Sequence, residues 1–370
     1  MKDFIPVNEP LLEGNEKKYL NECIDTGWIS SEGKFVKEFE AKFSSYCNRK
    51  YGVAVSSGTS ALEIAFKALE LPAGSEVIMP SFTIIACATA VIKAGLRPVF
   101  VDCEIDTWNT NIEHIKEAYT EKTSAILLVH LYGLPVDIDP ILNFAKEKKL
   151  KVIEDAAEMH GQTYNGKPCG SFGDISIFSF YANKLITTGE GGMLVTDDEN
   201  LYARSQYLKN QCFVPERRFL HYELGNNYRM TNTQAAIGLA QLERIENFIG
   251  LKHKMGALYQ KLLSNVEHIK LPIAQTSFAR NIYWVFGIVL TGKLEGKTQI
   301  VTEKLKSEGI GTRPFFWPMH QQPALGETKQ SLPNSEFIAK NGFYLPSSLN
   351  LTESKIERIS QSLIEVIDSI

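Results

Sequence analysis

The sequence lacks the features that would assign the chain to a membrane, a metal scaffold or a nucleic-acid complex. No apolar run reaches the roughly 18 residues of a membrane helix, and the charged N-terminal stretch with its two prolines does not resemble a signal peptide. The six cysteines form no CxxC pair. Net charge is -4, so no basic excess favours nucleic acid. We expect a cytoplasmic protein with reduced thiols, no metal, and neither membrane nor nucleic acid as partner.

Short β-branched runs alternate with helical patterns through the N-terminal part of the chain. "YGVAVSSG" predicts a strand that ends in a turn, and "TSALEIAFKALEL" predicts the helix after it. Further strands are predicted at "SEVIMP", "RPVFVD", "SAILLVHLYG", "KVIEDA", "DISIFSF" and "GGMLVTDD". This alternation is typical of an α/β fold with a mostly parallel sheet flanked by helices. Because ligands of such sheets bind beyond the carboxyl ends of the strands, functional residues are expected directly after them.

A change of pattern near Thr231 predicts the domain organisation. From there to about Leu263 the sequence is helical, and we interpret this stretch as a connector. It joins an N-terminal segment and large domain, residues 1–245, to a smaller C-terminal α+β domain, residues 246–370. The smaller domain is expected to contain the strand "IYWVFGIVL" and the helices "TQIVTEKLKSEG" and "TESKIERISQSLIEVI".

The first candidate binding motif is "SSGTSAL", residues 56–62, where a strand meets a glycine turn that opens a helix. Free backbone N–H groups and the helix dipole attract a phosphate at such a point. Gly58 allows close approach, and the hydroxyls of Thr59 and Ser60 can add hydrogen bonds. Taken alone, the motif fits a plain N-cap better. It is not a Walker motif, because no lysine follows the glycine.

The second motif is "VIEDAAEMHG", residues 152–161, at another predicted strand end. Asp155 is placed to face a cationic ring nitrogen, and Ala156 and Ala157 leave room for a flat group. An equally good interpretation is that Glu154 and Asp155 cap a turn.

The third motif is "SFYANKLITTGEGGM", residues 179–193, with a lysine in an apolar and aromatic run. An apolar setting pushes an amine towards its neutral, nucleophilic form, which suits a Schiff base. Ser179 can bind a phosphate, and the glycine loop allows backbone to approach a ligand or a partner chain. Judged alone, a lysine in such a run more often packs its aliphatic stem against apolar surface and places its amine in solvent.

The three motifs together favour pyridoxal 5′-phosphate as the cofactor. This cofactor needs a lysine for its aldehyde, a carboxylate for its ring nitrogen and an anchored phosphate, and its protonated ring acts as an electron sink. The three motifs offer these parts in one sequence.

The same motifs, in this order, resemble the DegT/DnrJ/EryC1/StrS family of sugar aminotransferases, which are fold-type I enzymes dependent on pyridoxal phosphate. The likeness runs from "IPVNEPLLEGNEKKYL" to "TRPFFWPMH" and "FYLPSS", and so covers nearly the whole chain. It implies a PLP-binding large domain.

The resemblance also implies roles for the cofactor-site residues. Lys184 is implied as the Schiff-base lysine and proton shuttle, and Asp155 as the partner of the pyridine nitrogen. Ala157 packs against a ring face. Glu158 lies near the ring hydroxyl, where many relatives have glutamine. The implied phosphate ligands are Gly58, Thr59, Ser60 and Ser179.

Two further implications concern the cofactor's surroundings. Relatives usually have an aromatic residue directly after the threonine of "PSFT", whereas this sequence has Ile84. Either Phe82 or an aliphatic residue then covers the ring. Asn227 is implied to reach the phosphate in the neighbouring subunit of a homodimer with a shared active site.

The implied reaction moves an amino group from L-glutamate to C4 of a nucleotide-linked 4-keto-6-deoxyhexose, with pyridoxamine phosphate as intermediate. Within the family, the motifs are most like members that act on GDP-4-keto-6-deoxymannose for surface polysaccharides such as O-antigen. Tyr132, Arg313 and His320 are candidate substrate residues, although Arg313 and His320 equally fit a structural role in a Pro-rich segment. The alternatives are a UDP-, dTDP- or CDP-linked keto sugar aminated at C3 or C4, and a non-catalytic sensor.

Overall fold

The computed structural model describes residues 4–214, 216–217, 219–326 and 329–370. The helices are α1 (Glu16–Thr26), α2 (Lys34–Tyr46), α3 (Gly58–Ala68), α4 (Ile85–Lys93), α5 (Ile112–Ala118), α6 (Ile138–Lys148), α7 (Glu199–Lys209), α8 (Asn232–Leu242), α9 (Ile245–Leu263), α10 (Thr298–Ser307), α11 (Pro333–Asn341) and α12 (Glu353–Asp368). The strands are β1 (Tyr51–Val55), β2 (Glu76–Pro80), β3 (Arg97–Val101), β4 (Thr123–Val129), β5 (Lys151–Asp155), β6 (Thr163–Tyr164), β7 (Lys167–Pro168), β8 (Ile175–Ser179), β9 (Gly192–Thr196), β10 (Ile269–Lys270), β11 (Phe286–Leu290), β12 (Arg313–Pro314) and β13 (Gly342–Leu345).

A seven-stranded sheet is formed by strands between residues 51 and 196, in the order β1-β9-β8-β5-β4-β2-β3. Strand β9 is antiparallel to both of its neighbours, and the other pairings are parallel. The predicted mostly parallel sheet is therefore confirmed. Its parallel strands direct their carboxyl ends to one edge, and the predicted motifs follow β1, β5 and β8 at that edge.

Both faces of this sheet are buried, which explains why its strands are apolar at successive positions. In β4, Leu127 belongs to a core that includes α3 and α4, whereas Leu128 belongs to a second core that includes α2, α6 and α8. Successive strand residues point to opposite faces, so a sheet covered by helices on both sides needs apolar residues at both. The predicted helices on both faces are confirmed.

A second sheet, antiparallel and in the order β10-β11-β13-β12, lies in the C-terminal part of the chain. It has a separate core, to which α9, α10 and α12 contribute. The short strand β12 at its edge carries Arg313. The boundary predicted between residues 245 and 246 coincides with the start of α9 and stays a prediction.

The helical stretch predicted from Thr231 to about Leu263 forms two helices, α8 and α9, with a break at Glu243 and Arg244. Helix α8 packs against α1 and α2 beside the large sheet, whereas Met255, Tyr259 and Leu263 of α9 enter the core of the small sheet. One straight helix would not reach both cores, so the direction changes between them.

The strand predicted at "IYWVFGIVL" begins later than expected, at Phe286. Tyr283 has a left-handed backbone with φ of 50°, and its N–H donates to Asn281 Oδ1 at 2.7 Å. This turn removes Trp284 from the strand, and its indole N–H donates to Asn183 O at 2.8 Å in the loop after β8.

The helices of the described segments include none that combines the length and the apolar character needed to cross a membrane.

Candidate active site

A cleft of about 560 Å³ lies at the carboxyl ends of the parallel strands and extends to β12 of the small sheet. Residues that directly follow β1, β4, β5 and β8 line it, as expected for an open α/β sheet. The structure brings together these predicted site residues: Gly58, Thr59, Asp155, Ala157, Glu158, Ser179, Lys184 and Arg313.

The amine of Lys184 lies between a carboxylate and an aromatic ring. Nζ is 3.6 Å from Glu158 Oε1 and 3.9 Å from the centroid of the Trp284 ring. The lysine side chain is only 11% exposed, so it does not extend into solvent. A carboxylate and a ring face both stabilise an ammonium group, and together they hold this amine at one place in the cleft.

Asp155 is the last residue of β5 and is buried at the floor of the cleft. Its carboxylate accepts hydrogen bonds from the Ala157 N–H at 3.0 Å and the Cys87 thiol at 3.3 Å. Burial raises its pKa, and these two bonds only partly oppose the shift. A buried carboxylate with incomplete compensation favours a cationic N–H donor as its ligand.

Glu158 is the second buried carboxyl of the cleft. Its Oε2 accepts the Tyr132 N–H at 2.7 Å, while Oε1 faces Lys184. Burial raises the pKa of Glu158 to about 7, and the nearby Lys184 amine and the Tyr132 N–H oppose this rise. A carboxyl with a pKa near neutrality can hold or release a proton beside the amine.

Helix α3 begins at the strand end of β1, and two serines close its first turn. Ser57 Oγ accepts the Ser60 N–H at 3.0 Å, and Ser60 Oγ accepts the Ser57 N–H at 2.9 Å. Ser57 is therefore the N-cap of α3, and Ser60 completes the capping box. Ser60 does not line the cleft, because its hydroxyl is buried in this capping box. Gly58 and Thr59 do line the cleft. The start of α3 is therefore capped at Ser57 and Ser60 and open to the cleft at Gly58 and Thr59.

The glycines of two motifs allow the loop after Lys184 to pack against this helix start. A Cβ on Gly58 would lie 2.8 Å from Ser179 Cβ, and a Cβ on Gly192 would lie 2.3 Å from Ser57 O. Both distances are too short for any larger residue. The glycines of this loop thus allow the end of β8, the start of β9 and the start of α3 to pack in direct contact.

The structure places four other predicted residues outside the cleft lining. Phe82 is fully buried among other aromatic rings, while Ile84 is 49% exposed and lines the cleft. Of the two alternatives drawn from the sequence, the aliphatic Ile84 lines the cleft and Phe82 does not; which of them covers a cofactor ring stays a prediction. Tyr132 is buried and stacks on Trp284 and Phe316.

His320 is also buried, because its ring nitrogens bond Ser81 Oγ at 2.7 Å and Glu336 Oε1 at 3.1 Å. The structural interpretation therefore fits His320, whereas Arg313 of the same segment does reach the cleft. Asn227 is exposed on a loop where its backbone pairs with Asn210, away from the cleft of its own chain. Its contact with a neighbouring subunit stays a prediction.

Sequence reasoning missed Trp284, which the structure places over the Lys184 amine. Its indole N–H donates to Asn183 O at 2.8 Å. Its own carbonyl accepts from the buried Lys252 amine at 2.8 Å, and Lys252 also donates to the Ser347 carbonyl. Burial lowers the pKa of Lys252 to about 7. No local pattern marks Trp284, since its contacts join distant parts of the chain.

A buried network beside the cleft holds the end of β5. Glu154 accepts from the N–H groups of Gly170 at 2.6 Å and Phe172 at 3.0 Å, and from Ser176 Oγ at 2.8 Å. His130 Nδ1 accepts the Val136 N–H at 3.2 Å, so Nε2 carries the proton that it donates to Glu154 at 3.1 Å. Cys169 Sγ lies in the same cluster. This network fixes the strand that presents Asp155.

Comparison with known proteins defines the class. The DegT/DnrJ/EryC1/StrS aminotransferase family matches residues 10–364. The chain therefore belongs to this family, and its mostly parallel sheet is that of a fold-type I transferase.

Individual relatives give a narrower likeness. GDP-perosamine synthase of Escherichia coli O157:H7 is 42% identical over 362 residues, which cover 98% of each chain. GDP-perosamine synthase of Caulobacter vibrioides is 42% identical over 366 residues, also 98% of each. Among solved structures, Spr1654 of Streptococcus pneumoniae in its PLP form is 25% identical and covers 99% of each chain with a TM-score of 0.93.

Replacing Gly192 with alanine is expected to destabilise the protein by about 2 kcal/mol, the usual cost of overpacking, because the new Cβ would meet the Ser57 carbonyl. Urea unfolding of both proteins measures the change. The control is Gly250→Ala in α9, where a Cβ meets nothing within 4 Å; this variant should be as stable as the parent or slightly more so. Equal stability of the Gly192 variant and the parent would contradict the close contact.

The variant Glu158→Gln tests the raised pKa of Glu158, because a pKa that differs between the folded and unfolded states makes the free energy of unfolding depend on pH. The carboxyl titrates near 4.5 when unfolded and near 7 in the cleft, so the folded state holds the extra proton between these values. The stability of the parent relative to the variant is therefore greatest below pH 4.5. This stability difference decreases by on the order of 3 kcal/mol as the pH rises towards 7.

Urea unfolding of both apoproteins between pH 5 and pH 8 measures this difference. The matched control, Glu113→Gln, removes a carboxylate that is 65% exposed, and its difference from the parent should stay nearly constant. If the stability difference between the parent and Glu158→Gln stays constant or grows with pH, burial does not raise the pKa of the Glu158 carboxyl.

Proposed function

We propose that the protein is a pyridoxal phosphate-dependent aminotransferase that moves the amino group of L-glutamate to C4 of GDP-4-keto-6-deoxymannose, giving GDP-perosamine. The carrying observation is the buried Lys184 amine held in one cleft with the buried Asp155 carboxylate and the open start of α3. The GDP-sugar assignment is supported by the two 42% identical relatives, which match nearly the full length of this chain.

The residues of the cleft fit pyridoxal phosphate. Burial raises the pKa of Asp155 although hydrogen bonds and the nearby Lys184 oppose the rise, and a protonated pyridine nitrogen would supply a further cationic partner. Gly58 and Thr59 leave an open helix start for the phosphate, with Ser179 beside it. Ala157 and Ile84 line the space for the ring faces. When bound, the cofactor supplies the carbonyl that carries the amino group and a ring that accepts electrons.

The chain itself supplies the proton transfer. In each half of the reaction, Lys184 Nζ would move a proton between the reacting substrate carbon, first of the donor and then of the sugar, and the cofactor carbon. Glu158 lies 3.6 Å from that amine and, with a pKa near 7, can exchange a proton with it. The Trp284 ring covers the amine on another side and excludes water. The amine therefore stays within the cleft through both halves of the reaction.

The alternatives have less support from the site. A non-catalytic sensor has no need for a buried lysine, two buried carboxyls and an open helix start in one cleft. A different nucleotide or amination at C3 would use the same cofactor residues, so the substrate assignment depends on the relatives rather than on Lys184 or Asp155.

We further propose a cytoplasmic homodimer in which Asn227 completes the active site of the neighbouring subunit. The loop that carries Asn227 also carries Tyr222 and Leu224, which are 79% and 86% exposed. Large apolar side chains exposed close together on one loop favour burial against another surface.

An amino-transfer assay with L-glutamate and the GDP-, UDP- and dTDP-linked 4-keto sugars tests the proposed function. We expect turnover with the GDP sugar to exceed that with the others by at least about tenfold, the discrimination that about 1.4 kcal/mol supplies. The product mass and the position of its amine identify a C4 amino sugar. Lys184→Ala is the control and should give no product.

Turnover with another nucleotide alone, or an amine at C3, would contradict the substrate while keeping the aminotransferase. Failure of every sugar, together with no formation of 2-oxoglutarate from glutamate, would contradict the proposed activity itself.

A further inference from the structure

The peptide unit that joins Asn183 to Lys184 is held by hydrogen bonds on both of its sides. Its carbonyl oxygen, Asn183 O, accepts the Asn8 side-chain N–H at 2.6 Å and the Trp284 indole N–H at 2.8 Å. Its N–H, which belongs to Lys184, donates to Tyr181 O at 2.9 Å. A carbonyl oxygen has two lone pairs, and both are used here. The backbone from which the Lys184 side chain extends is therefore fixed in orientation.

The N-terminal segment that supplies Asn8 is attached to the second sheet. Ile5 is buried in the core of that sheet, and its N–H and carbonyl both bond the backbone on either side of Ile310 at 2.8 Å. Two residues further on, Val7 O accepts the Ser347 N–H at 2.8 Å. Asn8 thus directly follows an anchored stretch of chain, so the position from which its amide donates is well defined.

The buried Lys252 amine connects the same part of the structure to Trp284. Lys252 is on α9, is 2% exposed, and donates to Trp284 O at 2.8 Å and to Ser347 O. Ser347 is held in turn, because its Oγ accepts the Phe286 N–H of β11 at 2.9 Å. A buried amine is costly unless its N–H groups are bonded, so the amine and the two carbonyls hold one another in place.

These contacts close into a circuit of hydrogen bonds. Its members, in order, are Asn8, Asn183, Trp284, Lys252, Ser347 and Val7, which is joined covalently to Asn8. Trp284 takes part with both its indole N–H and its carbonyl, so the circuit fixes the plane of its ring. That ring has its centroid 3.9 Å from Lys184 Nζ. The circuit therefore sets both the backbone of Lys184 and the aromatic face that covers its amine.

We infer that Asn8 and Lys252 are positioning residues for amino transfer, which hold the Lys184 amine under the Trp284 ring through this circuit. Both lie outside the lining of the cleft, so they act through Asn183 and Trp284 rather than on a substrate. Small displacements of a reacting group are enough to slow a reaction strongly. The inference rests on the proposed function for the role of Lys184 as the amine that moves the proton.

The variant Asn8→Asp tests the circuit, because it keeps the shape of the side chain but replaces the donating amide with a carboxylate that only accepts. We expect the maximal rate of 2-oxoglutarate formation from glutamate, in a single turnover of the holoenzyme, to fall on the order of tenfold. The glutamate concentration that gives half of this rate should stay within about twofold, since Asn8 lies outside the cleft.

The matched control is Asn350→Ala. It removes a hydrogen bond of 3.2 Å to Glu9, the neighbour of Asn8, and leaves the circuit intact. Its rate and its glutamate dependence should equal those of the parent.

Limited acetylation of the apoproteins with acetic anhydride, followed by peptide mass mapping, tests the cover of the Lys184 amine without the cofactor. We expect Lys184 to react several-fold faster in Asn8→Asp and in Lys252→Met than in the parent, because the Trp284 ring no longer stays over the amine. Lys252→Arg keeps charged donors for both carbonyls and should react as the parent does. The exposed Lys167 is the internal standard and should react equally in all of these proteins.

Urea unfolding checks that each variant is folded, and if Lys252→Met is not, Asn8→Asp alone decides. Acetylation of Lys184 at the parent's rate in Asn8→Asp would overturn the inference. So would an equal loss of glutamate conversion in Lys252→Arg and Lys252→Met, which would assign Lys252 to packing alone. If the parent fails to convert glutamate while the acetylation pattern is as expected, the proposed function alone is contradicted.

Discussion

The Lys184 amine lies between the Glu158 carboxyl and the Trp284 ring, and much of the fold holds these three groups together. The Lys184 and Glu158 side chains are only 11% and 8% exposed, and a buried amine and carboxyl are costly unless they are well paired. Lys184 and Glu158 lie on loops after two neighbouring parallel strands of the seven-stranded sheet. Trp284 lies just before β11 of the second sheet, and its carbonyl is held by the buried Lys252 amine. Segments that lead into two different sheets thus meet at the Lys184 amine.

Close backbone packing complements this arrangement at the other end of the cleft. Gly58 and Gly192 allow the start of α3, the end of β8 and the start of β9 to lie in contact. Asp155 lies between these two ends of the cleft, at the last position of β5. The buried hydrogen-bond network around Glu154 holds this strand in place. The lysine, the carboxylate and the helix start are therefore held in place by contacts within the chain itself, and catalysis and tight binding require such preorganisation.

The sequence predicted the parts of the site that depend on local pattern. Strands that end at Asp155 and Ser179, and one that ends shortly before Gly58, are visible as short motifs, and a parallel sheet must bring them to one edge. It did not predict Trp284, because the tryptophan reaches Lys184 only through the packing of a second sheet against the first.

Other differences have physical causes of the same kind. The break between α8 and α9 arises because two cores lie in different directions, which a continuous helical pattern does not show. Phe82 and Ile84 are two residues apart, and either side chain was compatible with the ring site. Only the tertiary packing buries Phe82 and exposes Ile84.

Reduction of the pyridoxal phosphate-loaded protein with borohydride, followed by peptide mass mapping, tests the central claim most directly. A lysine that holds the cofactor as a Schiff base becomes permanently labelled, and the label identifies the residue. The account predicts one pyridoxyl group per chain on the peptide that contains Lys184, and no such label in the Lys184→Ala variant. A label on another buried lysine, such as Lys209 or Lys252, or an equally labelled variant, would contradict the assignment of Lys184 as the reacting amine.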